Sequence, residues 1–223
     1  MVRSLPVSYS AADIKTLDPL DHIRIRVGNA LGNNPFETAV REVVDNSCDE
    51  VVGGHATTVT ITLRSDRSIE VIDDGRGVPF DYDEGEKKNG VVKALGTFMS
   101  GGKFENNTGS AGLNGIGTTA TNAISDRFDV TVWRGGKQYV QCFHHGRPGH
   151  FAGDGFDAKA DFNRVDGERL KPGTPRSGAP AHGTSVRLVL DRTVAADAQF
   201  DINNVLFRAH CSARLIGGMT LVV

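Results

Sequence analysis

Residues that announce a special environment are scarce in this chain. Its three cysteines, Cys48, Cys142 and Cys211, are odd in number and far apart. They lack the paired spacing of a zinc site or a disulfide framework and read as free thiols, buried or half-buried. Excess charge is missing as well. The 25 Lys and Arg against 27 Asp and Glu leave a formal net charge of −2, which gives no electrostatic footprint for nucleic acid on the chain itself. Any work on DNA then belongs to other domains or subunits. No apolar run approaches membrane-spanning length, and Met1 to Ser10 has no apolar centre of a signal peptide. The reading is a soluble, cytoplasmic protein with no membrane partner. Among the seven histidines no pair stands at i,i+4 beside a carboxylate, so none, the neighbours His144 and His145 included, is assigned to a metal. What is there, 223 residues at 39% hydrophobic content, suffices for one well-buried core and one domain.

The organising stretch runs from Phe36 to Val52. Phe36, Ala39, Val40, Val43, Val44, Ser47, Cys48 and Val51 recur at i, i+3, i+4 and i+7, the pattern of a helix with one buried face. Its other face carries Glu42, Asp45, Asn46, Asp49 and Glu50, within roughly 140° of one another at ~100° per residue. Like charges at such spacing repel by a few tenths of a kcal/mol, which a solvated surface tolerates. The functional alternative makes Glu42 a base and gives the Asn46 amide oxygen, one turn on, to a hard cation. Gly53-Gly54 ends the helix, and Gly28 to Pro35 before it is turn chemistry. A first short helix is expected around Asp18 to Arg26, preceded by an extended arm.

Beyond the helix, Thr57 to Leu63 and Ile69 to Ile72 alternate as a β-hairpin. The second strand runs into Asp73-Asp74-Gly75-Arg76-Gly77-Val78-Pro79. A carboxylate at a strand exit followed by Gly-x-Gly puts a fixed acceptor beside backbone that a flat ligand can approach, although an ordinary Asp-Gly turn has the same letters. Val91, Val92, Leu95, Phe98 and Met99 form a helical stripe read as core. Ser100 to Gly117 is Gly-rich and ends on Gly115-Ile116-Gly117 ahead of a short helix, Thr118 to Ser125, so bare N–H groups point out of the loop, an arrangement that binds phosphate. Two motif matches fail here. Gly96 to Lys103 continues with Phe104 where a P-loop needs Ser or Thr. Gly112-x-x-Gly115-x-Gly117 reverses the dinucleotide-binding order. Phe128 to Trp133 and Lys137 to Phe143 form a second hairpin over Arg134-Gly135-Gly136. His144 to His182 reads as an irregular excursion. Gly183-Thr184-Ser185 opens a strand ending at Leu190, Ile202 to Ala209 marks a last helix, and Met219 to Val223 a last strand. The chain stops inside that strand, the mark of a fragment of a longer protein.

Together these elements describe a nucleotide site without a P-loop: an acidic helix face, an Asp-Gly-x-Gly turn and a Gly-rich lid. In order and spacing, Glu42 to Glu50, Asp73 to Pro79, Ser100-Gly101-Gly102-Lys103-Phe104, Gly112 to Gly117 and Gly183-Thr184-Ser185 resemble the successive ATP-site motifs of the GHKL superfamily. Gly-Gly-Lys-Phe is similar to the type IIA topoisomerase branch, gyrase B and topoisomerase IV, more than to the chaperone, mismatch-repair or histidine-kinase branches. The chain departs from that pattern twice. Arg26-Val27-Gly28-Asn29-Ala30-Leu31-Gly32 stands where the family usually has Arg-Pro-Gly-Met-Tyr-Ile-Gly, and Asn114 where bacterial members usually have His.

The resemblance implies an α+β fold, a two-layer α/β sandwich with helices on one face of a mixed, mostly antiparallel sheet. It divides the chain into an arm, residues 1–20, and an ATPase domain, residues 21–223. It implies that Glu42 polarises the attacking water, that Asn46 holds magnesium, and that Asp73 accepts from the adenine amino group with Thr184 supporting it through water. Gly77 and Pro79 would line the base pocket. Lys103 and the lid residues Leu113, Asn114, Gly115, Ile116, Gly117 and Thr118 would take the phosphates. Arg76 and Arg134 would stand at the pocket mouth, where aminocoumarins bind in this family. ATP would close two copies into a dimer through the arm, with a gyrase A-like subunit and DNA engaged by domains outside this chain. Hydrolysis by this chain alone would then be slow. Two rival expectations are a non-catalytic nucleotide-sensing or dimerisation module and a phosphotransferase of the kinase type.

Overall fold

In the computed structural model the described residues are 17–97, 116–153, 155–158 and 181–223. Helix α1 (Pro19–Ile25) starts on Asp18, whose carboxylate accepts from Leu20 N–H, with Pro19 at the first helical position. Next come α2 (Val27–Leu31) and α3 (Pro35–Val52). The nine buried residues of α3 include every member of the stripe from Phe36 to Val51. Gly53 closes the helix by donating to Asp49.

Strand β1 (Thr58–Leu63) and strand β2 (Ile69–Asp73) pair antiparallel with Ile61 opposite Val71. A small ribbon of β3 (Tyr82–Asp83) and β4 (Lys88–Asn89) leads into α4 (Gly90–Gly96). After α5 (Gly117–Ala123), strands β5 (Ser125–Arg134) and β6 (Lys137–His144) form a hairpin whose turn residues Gly135 and Gly136 both have positive φ, as a two-residue type I′ turn requires. β7 (Arg147–Ala152), β8 (Gly155–Asp157), β9 (Gly183–Leu190), α6 (Ile202–Leu215) and β10 (Thr220–Val222) complete the order. The large sheet has eight strands in the order β10-β1-β2-β9-β5-β6-β7-β8. It is antiparallel except where β10 runs parallel to β1, the mixed, mostly antiparallel sheet expected from the sequence.

One face of this sheet is dry. Val59, Ile61, Val71, Val130, Val132 and Leu188 are buried with Val40, Val43 and Val44 of α3 and Val205 and Ala209 of α6 in one cluster. Each such side chain contributes about 1.5–3 kcal/mol when fully buried. The alternate residues Thr60, Thr62, Glu70 and Arg187 are half-buried on the other face. A second cluster, Ile23, Leu31, Phe36, Ala39, Ala120, Ala123 and Ile124, fastens α1 and α2 to α3 and α5. Small residues on α5 let it lie close against α3, and Thr121 Oγ1 donates to the Ala39 carbonyl at 3.1 Å.

Three elements depart from the sequence expectation. Val27–Leu31 is helical where turn chemistry was expected, because Leu31 is buried in the second cluster and packing outweighs the poor propensity of Gly28 and Asn29. The segment from His144 is not irregular at its start. β7 pairs with β6 and β8 with β7, with Pro148 and Gly149 tolerated because these strands lie at the end of the sheet. The β3–β4 ribbon was not expected at all; with two residues in each strand it carries no readable alternation. Phe98 and Met99 of the apolar stripe, and most of the expected excursion from 159 to 180, lie outside the described residues.

Candidate functional site

The site is assembled from α3 and two chain segments that converge on it. Its first component is the acidic face. Glu42 is half-buried, and its carboxyl is held above the ordinary Glu value, first by burial, then by Asp45 and Asp49, against the opposing charge of Arg41. Asp45 is raised in the same way, by burial and Asp49, and lowered by Arg41 and Arg208. Arg41 approaches both, Nη2 at 4.0 Å from Glu42 Oε1 and Nε at 3.7 Å from Asp45 Oδ2. Two neighbouring carboxyls each destabilised as anions constitute a negative field that a cation would offset. A cleft of about 520 Å³ opens beside Glu42, with Asn33, Asn34, Arg41 and Arg208 in its walls.

The second component is the start of α5, which meets that face directly. An added Cβ on Gly117 would stand 1.8 Å from Glu42 Oε2, so only glycine lets the carboxylate lie where it does. One turn along α3, the Asn46 amide donates from Nδ2 to Thr118 Oγ1. That leaves the Asn46 carbonyl oxygen, the atom a hard cation takes, directed away from its one described hydrogen bond. Gly117 and Thr118 are therefore gathered against Glu42 and Asn46, and Ile116, just before them, packs against the second cluster. Lys103, Leu113, Asn114 and Gly115 lie outside the described residues.

The third component is the turn after β2. Asp73 is 5% exposed. Its Oδ1 accepts from Gly75 N–H at 3.0 Å and Thr184 N–H at 3.3 Å, and its Oδ2 accepts from Ser47 Oγ at 3.1 Å. Burial nevertheless pushes its carboxyl up to about 6, with the three hydrogen bonds pulling the other way. Thr184 thus reaches Asp73 directly through its backbone, while its hydroxyl accepts from Val78 N–H at 3.3 Å. Gly77 has φ +72°, and a Cβ there would come within 2.9 Å of the Trp133 carbonyl and 3.0 Å of the Gly183 carbonyl. The Asp-Gly-x-Gly turn is consequently pressed between β5 and β9. Arg134 Nη1 donates to the Gly77 carbonyl at 2.9 Å. Pro79 is exposed and packs on Gly90, whose added Cβ would stand 2.3 Å from the Pro79 carbonyl.

Sequence reasoning left several members of this site without a role. Glu50 holds Arg76 in a bidentate pair, Nε to Oε2 at 3.0 Å and Nη2 to Oε1 at 2.7 Å, and accepts from Arg76 N–H as well. That donor set holds the Glu50 carboxyl below its ordinary value. The last acid of the helix face is therefore the anchor of Arg76. Ser47 looked like one more small residue on the buried stripe, and its hydroxyl instead bonds Asp73. His182 Nδ1 donates to the Gly75 carbonyl at 2.7 Å; nothing in its local sequence signals this. Cys48 and Cys142 are free thiols pushed up to about 12, chiefly by burial, and Cys211 is a free exposed one. The sequence model of the family described as "Histidine kinase-, DNA gyrase B-, and HSP90-like ATPase" matches residues 33–194. The chain belongs to this gyrase B-like ATPase family.

The gyrase B-like character extends across the chain. It is 49% identical, over 99% of its length and 32% of the relative's, to the topoisomerase subunit TopoN of Mycolicibacterium smegmatis. It is 33% identical, over 96% of its length and 26% of the relative's, to DNA gyrase B of Caulobacter vibrioides. The chain thus spans about a third or less of the length of these relatives. Among solved structures, the 43K ATPase domain of Thermus thermophilus gyrase B, in complex with an aminocoumarin, superposes with a TM-score of 0.67 at 26% identity, covering 91% of this chain and 47% of that one. The topoisomerase IV ATP-binding domain of Francisella tularensis, in complex with a small-molecule inhibitor, gives 0.66 at 27% identity, covering 91% and 87%. No helix among the described residues is long and apolar enough to cross a membrane.

Proposed function

We propose that this gyrase B-like ATPase domain binds ATP with magnesium and hydrolyses it to drive a type IIA topoisomerase. The observation that carries the proposal is the seating of the Glu42 carboxylate on Gly117, one helical turn from Asn46. A base raised in pKa by burial and like charge is suited to taking a proton from water near neutral pH. Glu42 orients the attacking water and accepts its proton, an effect typically worth ~10² to 10⁴ in rate. The backbone of Ile116 to Thr118 and the lid residues Lys103 and Leu113 to Gly115 hold the phosphates. Asp73 accepts from the adenine amino group, Gly77 gives the base room to approach, and Pro79 lines its pocket. Arg76, fixed by Glu50, and Arg134, fixed to Gly77, stand at the mouth and close the site against solvent.

The donor set of the acidic face suits magnesium: an amide oxygen and carboxylates, with no sulfur and no imidazole. Asn46 would hold the ion, which would supply positive charge to offset that of the phosphates. Residues 1–20 form the arm through which two copies pair when ATP binds, and residues 21–223 the ATPase domain. A gyrase A-like subunit and DNA are engaged by other parts of the enzyme, and the protein works in the cytoplasm. The test is single-turnover hydrolysis of labelled ATP by the chain and by Glu42→Ala, with binding of a non-hydrolysable analogue measured in parallel. Slow hydrolysis lost in the variant with binding retained supports the assignment. Hydrolysis unchanged in Glu42→Ala would overturn it.

A further inference from the structure

At the end of β5 away from Arg134 lies a cluster that the nucleotide chemistry does not use. Eight positions of strand separate Asp126 from Arg134, about 26 Å at ~3.3 Å per residue. One ligand atom from each of Asp126, His144 and His145 lies within 4.8 Å of the other two. His145 Nε2 is 3.1 Å from Asp126 Oδ1. For comparison, two ligands of a tetrahedral zinc with bonds of about 2.0–2.2 Å stand about 3.3 Å apart. His144 Nδ1 is 2.6 Å from the Asp126 carbonyl oxygen. Only a protonated Nδ1 can donate there, which fixes the tautomer with the lone pair on Nε2, the arrangement by which a backbone carbonyl orients a metal-binding histidine. We propose that Asp126, His144 and His145 form a binding site for a zinc-class divalent ion, separate from the nucleotide site.

The backbone presents these ligands in a form that an ordinary turn does not need. His145 and Gly146 form the β6–β7 turn with φ +51° and +80°. The first of those positions favours Asn, Asp or Gly, and a histidine held there is an outlier of the kind that collects at functional sites. His145 N–H donates to the Ser125 carbonyl at 3.0 Å, which fixes the turn against the start of β5. The imidazoles lie stacked, with centroids 3.7 Å apart. Nearby cations are already neutralised: Arg24 by Asp191 at 2.5 Å and Arg127 by Asp129 at 2.6 Å. An open cleft of about 540 Å³ bordered by Asp126, His144, Phe151 and Phe156 gives an ion, and a water as its fourth ligand, a way in. Such an ion would tie the β6–β7 turn to the first residues of β5.

The experiment titrates the chain with zinc chloride, with magnesium present throughout, and follows the imidazole nitrogens by NMR. One ion per chain, with the ring signals of His144 and His145 both moving, is expected. In His144→Ala and His145→Ala the zinc affinity falls at least tenfold while binding of the ATP analogue is unchanged. Histidine signals that stay still at saturating zinc in the unaltered chain would overturn the proposal whatever the variants do. Zinc affinity unaltered in both variants would overturn it too, since the ion would then be elsewhere, on Cys211 for instance.

Discussion

Replacing Asp73 with Asn separates what this carboxylate does for binding from what it costs the fold. The substitution is nearly isosteric. The amide oxygen keeps the bonds from Gly75 and Thr184, and the amide nitrogen faces the Ser47 hydroxyl. The sign of the stability effect follows from the raised carboxyl. Folded Asp73 titrates near about 6 against 3.8 in an ordinary setting, so its protonated form stabilises the fold at low pH and that contribution is lost as pH rises through about 4 to 6. At pH 7.5 the buried charge then costs about 3 kcal/mol, at ~1.4 kcal/mol for each unit of displacement. Asp73→Asn removes that cost and should melt several degrees higher at pH 7.5 but not at pH 4. Binding moves the other way. A hydrogen bond to a charged acceptor contributes about 1.5–3 kcal/mol, so affinity for a non-hydrolysable ATP analogue should fall about 10- to 100-fold. Preference over the GTP analogue should also narrow, because an amide N–H meets the adenine amino group donor to donor yet can serve the guanine oxygen. In the unaltered chain, going from pH 7.5 to pH 5.5 should weaken binding about fourfold as Asp73 takes up its proton, and the variant should be flat. Scanning calorimetry and isothermal titration at the two pH values read both effects. Unchanged affinity, or a lower melting temperature at pH 7.5, would refute the reasoning.

Other perturbations follow from the same contacts. Glu42→Ala should keep analogue affinity within a few-fold and lower single-turnover hydrolysis by about 10² to 10⁴, because the base acts on water and not on the bound ground state. Gly117→Ala should displace the Glu42 carboxylate, whose Oε2 would lie 1.8 Å from the new Cβ. Hydrolysis should then drop about 10²-fold, as an ångström of misplacement does, with helix content by circular dichroism retained. Asn46→Ala should erase the difference between titrations with magnesium and with EDTA, while leaving the magnesium-free affinity unchanged. Glu50→Ala should leave the fold intact and release Arg76, seen as faster dissociation of the analogue in stopped flow.

The sequence was most legible where one periodicity had to serve both packing and chemistry. The α3 stripe fixed which residues face the sheet, and by elimination put Glu42 and Asn46 on the open side. Alternation in β1 and β2 was readable for the same reason, since one face of each strand is buried against helices. What escaped was decided by partners distant in the chain. Ser47 and Asp73 are 26 positions apart and Gly75 and His182 are 107 apart, so no local pattern marks those bonds. β7 carries Pro148 and Gly149, letters of a loop, and is a strand because β6 offers it a partner. Glu50 read as one acid among four until Arg76 was seen to close on it. His144 and His145 were passed over because the ligand spacing sought was helical, whereas a strand end and a positive-φ turn bring the two rings together.

The most direct measurement is a calorimetric titration of the unaltered chain with a non-hydrolysable ATP analogue, with and without magnesium, and with the matching GTP analogue. The account predicts one site per chain, tighter with magnesium and at least tenfold weaker for the guanine nucleotide. Failure to bind, or binding indifferent to both base and magnesium, would contradict the assignment of Asp73 and Asn46 and with it the proposed function.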